Sequence, residues 1–340
     1  MILFILLLVS TSSFTSNHNG LDNILYAKGK ESTFPDNEAQ NDVLTNNKAI
    51  PNQKQATNKV VILTFGDIHK SQFTTAKPIL DQYGFKGSFF VPCDMVEEGS
   101  RMDWNDIKTL YNEGHDIQAK SDDNLIDLSR DKLDSEVSQS KECLSAHGID
   151  PAAITTFAVR HGNAVSNSTV INTVAKYYDM TINGFSNLMR LNCTGYEDLP
   201  NPQRAGSGEF AALVTSPRHQ TDCRTFFDDG SITDANRYSI REWNHNARDM
   251  KFDHNSTAIF NNFIQVVNSQ SEYNNNTDGI NAIPLIVYHN IDNNVARSST
   301  NIDLFRAEMK YLHDNGFKVI TMKDLGYDEM SNRLYVKNMQ

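Results

Sequence analysis

The hydrophobic pattern changes character near Lys59. Upstream lies one compact apolar run, Ile2 to Val9, followed by a long polar stretch. Downstream, short apolar runs alternate with amphipathic segments as far as Met322. The run VVILTF is apolar and β-rich throughout, as expected of a strand covered on both faces. FTTAKPILDQYGF reads as a helix stopped at Gly84, GSFFVP as a second strand, and DWNDIKTLYNEG as a helix capped by Asp103 and ended by Gly114. HDIQAK is a third strand, SRDKLDSEVSQSKECLSAHG a long amphipathic helix capped by Ser129, and ITTFAVR a fourth strand. NSTVINTVAKYY reads as a helix and DMTING as a fifth strand. The stretch from Leu188 to Asn236 is irregular. Beyond it RYSIREW resembles a strand, NSTAIFNNFIQVVNSQ a helix, AIPLIVYHN a buried strand, NIDLFRAEMKYLHDNG a helix and KVITM a last strand.

Strands that alternate with helices pair in parallel, because a crossover helix must carry the chain back to the same end of the sheet. About seven or eight such strands favour closure. The expected fold is α/β, a distorted (β/α) barrel of about seven parallel strands, with its chemistry at the C-terminal strand ends.

Composition refines this picture at the N-terminus. Residues 1–16 have the apolar core and small-residue flank of a signal peptide, without a Lys or Arg before the run, so a short N-terminal anchor is the other reading. The run is shorter than the roughly 20 residues a spanning helix needs. Residues 17–58, rich in Asn, Gln, Thr, Ser and Lys, read as a disordered polar linker, and residues 59–330 as the barrel domain. The expected location is secreted or cell-surface. A net charge of −11 argues against nucleic acid as a partner. Of the four cysteines, Cys193 and Cys223 lie in loop-like sequence and are the expected disulfide pair of an exported chain. Cys143 lies on a helical pattern and is expected as a buried thiol.

The strand ends carry the candidate chemistry. The first ends in Gly66-Asp67 with His69 following. The third ends in Lys120, followed by Ser121, Asp122, Asp123 and Asn124. The fourth ends in Arg160-His161-Gly162, and the LIVYHN strand in His289-Asn290 with Asp292 beyond. His115, in the EGHDI turn, is expected to cap the preceding helix or to bond locally. Trp104 and Trp243 are expected to be packing residues.

In order and content these segments resemble the polysaccharide deacetylase family, the NodB-homology domain of carbohydrate esterases. TFGD stands where the family has T-F-D-D, GHDIQAKSDDN follows its second motif, FAVRHGN its F-A-Y-P-Y-G-N, and LIVYHN its apolar strand ending in His. KGSFFVP matches a further family strand, and the resemblance runs from about Val60 to Leu325. It implies a NodB-homology barrel that removes N-acetyl groups from a polysaccharide or cell-surface glycan. The implied cofactor is a divalent, zinc-type metal, held by one Asp and two His, that activates water and polarises the acetyl carbonyl.

Carried over residue by residue, Asp67 matches the metal-binding aspartate and His289 the histidine that acts as acid. His161 and Gly162 fall in the oxyanion region. Gly66 replaces the base aspartate, and Lys120 and Asn124 stand at the two metal histidines. Loss of a base costs about 10²- to 10⁴-fold, and a protonated lysine repels a cation. The implied function is therefore a deacetylase-like hydrolase with impaired metal-assisted hydrolysis, or alternatively a non-catalytic glycan-binding protein. Two regroupings could restore chemistry: Asp67 with His161 or His69 and Asp123 around a metal, or Lys120 acting as cation or base without one.

Overall fold

A computed structural model describes residues 58–121, 123–160, 167–185, 188–191, 195–197, 237–238, 240–244, 256–275, 279–293, 299–328 and 333–337. The N-terminal leader and linker lie outside the described residues, as do Asp122, His161, Gly162, Cys193 and Cys223.

Seven parallel strands close a barrel: β1 (Val60–Phe65), β2 (Ser88–Pro92), β3 (Asp116–Lys120), β4 (Thr156–Ala158), β5 (Met180–Phe185), β6 (Ile240–Asn244) and β7 (Leu285–Tyr288). Each pairs with its successor, and β7 returns to β1 with Ile62 opposite Leu285 and Phe65 opposite Tyr288. An eighth strand, β8 (Lys318–Ile320), runs parallel to the first half of β1, opposite Val60 to Ile62. Only Thr64 and Phe65, in the second half of β1, reach β2. The β1–β2 seam is thus split by β8 at its lower end, which is the distortion of the barrel.

Strand periodicity sorts the residues into two apolar layers. Val60, Ile62, Phe90, Met180, Ile182, Ile240 and Leu285 pack together inside the barrel. The alternate residues, among them Val61, Leu63, Phe65, Phe89, Ile117 and Ile286, pack against helix residues such as Ile107, Leu133, Val137, Phe263 and Phe305.

The helices start where the caps dictate. In the helix Trp104–Asn112 Asp103 accepts from the Asn105 and Asp106 N–H groups at 2.9 Å, and Asp106 accepts back from the Asp103 N–H at 3.0 Å. Asn301 caps Ile302–Asp314 in the same way from one side. Ser129 occupies the cap of Arg130–Ala146 as expected, but its side chain makes no capping bond. The segment expected as one helix after β1 divides into a π turn, Gln72–Ala76, and a short α-helix, Lys77–Gln82. Pro78 supplies the reason: it has no N–H for the Thr74 carbonyl, so regular i to i+4 bonding fails there.

Three further expectations need correction. Cys143 is not a buried thiol. It is bonded to Cys93, just beyond β2, with the Cα atoms 6.6 Å apart, because Arg130–Ala146 packs beside the turn that follows β2. The helical period showed which face Cys143 takes but not what lies opposite. The His115 side chain is not a helix cap, although its backbone closes the helix end, the N–H donating to the Leu110 carbonyl at 3.0 Å. It is fully buried, and its Nδ1 accepts from the Gly87 N–H at 3.2 Å. Burial, helped by the charge of Lys86, lowers its pKa to about 4, so it is neutral. The fold also continues past residue 330, where Arg333–Val336 pairs antiparallel with Leu325–Asp328. Among the described residues no helix is long and apolar enough to cross a membrane.

Gly87 is fixed by close approach. A Cβ there would lie 2.5 Å from the ring of Phe65, which is fully buried and stacked on Phe89 at 4.6 Å between centroids. The ring has nowhere to go. Gly87→Ala is therefore expected to destabilise the fold by about 1–3 kcal/mol, read as a lower urea midpoint at unchanged slope.

Candidate active site

The end of β1 stays in register with β7 for one residue more, the Gly66 N–H donating to the Tyr288 carbonyl at 3.0 Å. The chain then turns sharply. Asp67 and Ile68 both take positive φ, 69° and 44°, although neither is glycine. Such residues cost about 1–3 kcal/mol each and persist only where their surroundings over-determine them. Three contacts do so here. The Ile68 side chain is fully buried, its carbonyl accepts from the Met102 N–H at 2.9 Å, and the Arg101 guanidinium donates to the Asp67 carbonyl. Buried Gln72 ties the two strand ends together, donating to the Gly66 carbonyl at 2.5 Å and the His289 carbonyl at 2.7 Å.

This turn aims the Asp67 side chain across the barrel mouth. One carboxylate oxygen, Oδ2, meets His289 Nδ1 at 2.9 Å; the other, Oδ1, is bonded to the Lys120 ammonium. Burial would raise the Asp67 pKa, but the His289 hydrogen bond and the Lys120 charge outweigh it and hold the carboxyl well below the ordinary carboxylate range. An ionised carboxylate only accepts, so the proton between them sits on His289 Nδ1.

A fourth group completes the site. Alternation on β3 puts Asp116, Gln118 and Lys120 on one face, and alternation on β6 puts Ile240 and Glu242 on the lumen face. Thr64 of β1 donates to Glu242 Oε2 at 2.7 Å. Glu242 is close enough to feel the charges of His289, Lys120 and Asp67. Desolvation in the lumen dominates and pushes its pKa up from 4.5 to about 7. Sequence reasoning missed Glu242. The signal was there in RYSIREW, where a polar residue stands two places after an interior Ile, but a lone Glu in a short strand says nothing about where the lumen faces.

The other candidates are not brought together. Asn124 is exposed and donates to Asp127 at 2.5 Å, so it does not stand beside Asp67 as the second metal histidine would. Asp123 is exposed as well. His69 is partly buried, but its Nε2 receives an Arg101 N–H at 3.2 Å, and burial together with the Arg101 charge lowers its pKa to about 4. The metal regrouping of Asp67 with His69 and Asp123 is therefore not formed. His161 and Gly162 lie outside the described residues.

A divalent ion does not fit what is present. The Lys120 ammonium is already bonded to Asp67 and would repel a second cation. Among the described residues no three His, Cys, Asp or Glu side chains are grouped to hold an ion. Space is not what excludes the base. A Cβ at Gly66 would sit at ordinary contact distance from His289 Nδ1, 3.4 Å, and 4.0 Å from Lys120 Nζ.

Comparison with known proteins agrees with the motifs. The polysaccharide deacetylase family model matches residues 53–182, from before β1 into β5. Over these residues the chain is similar to polysaccharide deacetylases. Among solved structures, the Streptococcus pyogenes deacetylase PplD is 22% identical over 37% of this chain and 57% of its own, with a TM-score of 0.35. The Bacillus subtilis peptidoglycan deacetylase PdaC is 15% identical over 78% of this chain and 89% of its own, with a TM-score of 0.43. A BA3943 mutant, described as a CE4 family pseudoenzyme with restored activity, is 12% identical over 78% of this chain and 67% of its own, with a TM-score of 0.44. Likenesses at this level transfer no site residues. No curated protein matches the chain.

Glu242 and Asp67 pull the stability curve in opposite directions. A carboxyl whose pKa rises on folding keeps its proton longer in the native state, so stability falls as pH rises from about 4.5 to 7. Asp67, lowered on folding, contributes above its ordinary value of 3.8 and loses that contribution as pH falls below it. Urea unfolding at pH 5 and pH 8 is expected to show Glu242→Gln gaining on the parent at the higher pH, by on the order of 2 kcal/mol.

Proposed function

We propose that this barrel binds an N-acetylated polysaccharide at the cell surface, and that metal-assisted deacetylation does not operate in it. The glycan is supported by the family assignment, since polysaccharide deacetylases act on acetylated polysaccharides. The loss of the metal step rests on one observation: the Lys120 ammonium is bonded to the carboxylate that the family offers to its metal. A second cation against Lys120 would meet repulsion in a site whose charged side chains are only 11% to 24% exposed. The base position, Gly66, has no carboxylate to replace it. Of the two readings drawn from the motifs, this geometry favours glycan binding over metal-assisted hydrolysis.

Export is part of the same proposal. The apolar leader supports it, and so does the Cys93–Cys143 disulfide, a bond that persists in oxidising compartments.

The test combines metal analysis with binding. Protein purified without chelator is expected to hold zinc, cobalt and manganese well below one equivalent. Calorimetry with oligomers of N-acetylglucosamine is expected to show binding that added zinc leaves unchanged. One equivalent of tightly held metal, or acetate release that appears only on adding metal, would overturn the reading.

A further inference from the structure

The lysine that displaces the metal also leaves the site a set of groups able to work without one. Resting on the glycan reading above, we infer that Asp67, His289 and Lys120 form a metal-independent apparatus for hydrolysing the N-acetyl amide of a bound amino sugar.

The dyad comes first. Asp67 Oδ2 lies 2.9 Å from His289 Nδ1 and fixes the ring with its proton on that nitrogen. Nε2 is then a lone-pair acceptor. The His289 side chain is 18% exposed, and Nε2 has no partner among the described residues. An imidazole held this way by an ionised carboxylate has the elements of a general base, and the carboxylate stabilises the imidazolium that forms. The ring is also rigidly placed, because Gln72 holds its backbone carbonyl and that of Gly66 together.

The cation is Lys120. One of its three N–H bonds is directed at Asp67 Oδ1, and among the described residues the other two have no partner. Its side chain is 11% exposed and lies beside the Asp67–His289 pair at the barrel mouth. A charge so poorly solvated acts strongly on a developing oxyanion. Gly66 supplies the room. With no side chain on it, the space beside His289 Nδ1 and Lys120 Nζ stays open.

The step balances without a metal. His289 Nε2 takes a proton from water, and the hydroxide oxygen bonds to the acetyl carbon. The carbonyl π pair moves to oxygen, and the oxyanion is held by Lys120. When it collapses, the C–N bond breaks, and the imidazolium returns its proton to the leaving nitrogen. The products are acetate and the sugar amine, and the amine takes up the acid's proton in solution.

Acetate release from N-acetylglucosamine pentamer, measured with the full chain in excess EDTA, tests this. Slow, enzyme-dependent release is expected, unchanged by EDTA and not stimulated by zinc. Lys120→Met is expected to lower kcat by about 10²- to 10³-fold. Asp67→Asn, nearly isosteric, reverses the hydrogen bond to His289 and leaves the proton on Nε2, for a loss of at least about 10²-fold. Both variants are expected to bind the pentamer within a few-fold of the parent, and that unchanged affinity shows that they fold. Binding without release above a buffer blank would overturn this inference and leave the glycan reading standing. Release that EDTA abolishes would overturn it too. Absence of binding would sink the glycan reading itself.

Discussion

The site depends on one carboxylate held between an ammonium and an imidazole. Asp67 follows β1, Lys120 ends β3 and His289 follows β7, so the contact joins three strands that enter the barrel mouth from separate places in the chain. Desolvating a carboxylate is costly unless it is paired and hydrogen-bonded. Here both oxygens are satisfied, which is why Asp67 stays ionised although burial works against it. With its charge compensated from within the protein, the site has no electrostatic demand for a bound ion.

The backbone is arranged to make this contact. Two successive residues in the left-handed region would be an unexplained expense on a surface loop. At Asp67 and Ile68 the strain instead turns the side chain inward while Arg101 and Met102 hold the carbonyls behind it. Arg101 also occupies His69, so the clamp that sets the aspartate removes the neighbouring imidazole from the candidate chemistry.

Much of the architecture was legible in the sequence because strand and helix periods differ and the strands are buried on both faces. Val60–Phe65, Ser88–Pro92 and Leu285–Tyr288 fall within the runs that composition marks. The strand tips Asp67, Lys120 and His289 were legible for the same reason, since a parallel barrel gathers them at one end. What was not legible depends on partners far away in sequence. The disulfide of Cys143 is decided by what faces it, the π turn by the carbonyl that Pro78 cannot serve, and the role of Glu242 by which side of β6 lines the lumen. Asn124 shows the converse. The motif resemblance sets it at a metal histidine, yet the turn after β3 leaves it exposed.

The placement of β8 carries a consequence for how the molecule is made. β1 is bordered by β7 and β8, both contributed by the last part of the chain, and meets β2 over only two residues. The first strand of the barrel to leave a ribosome is therefore among the last to be fully paired. Its apolar faces must wait through the synthesis of nearly the whole domain, in the high-contact-order regime where folding is slow and aggregation competes.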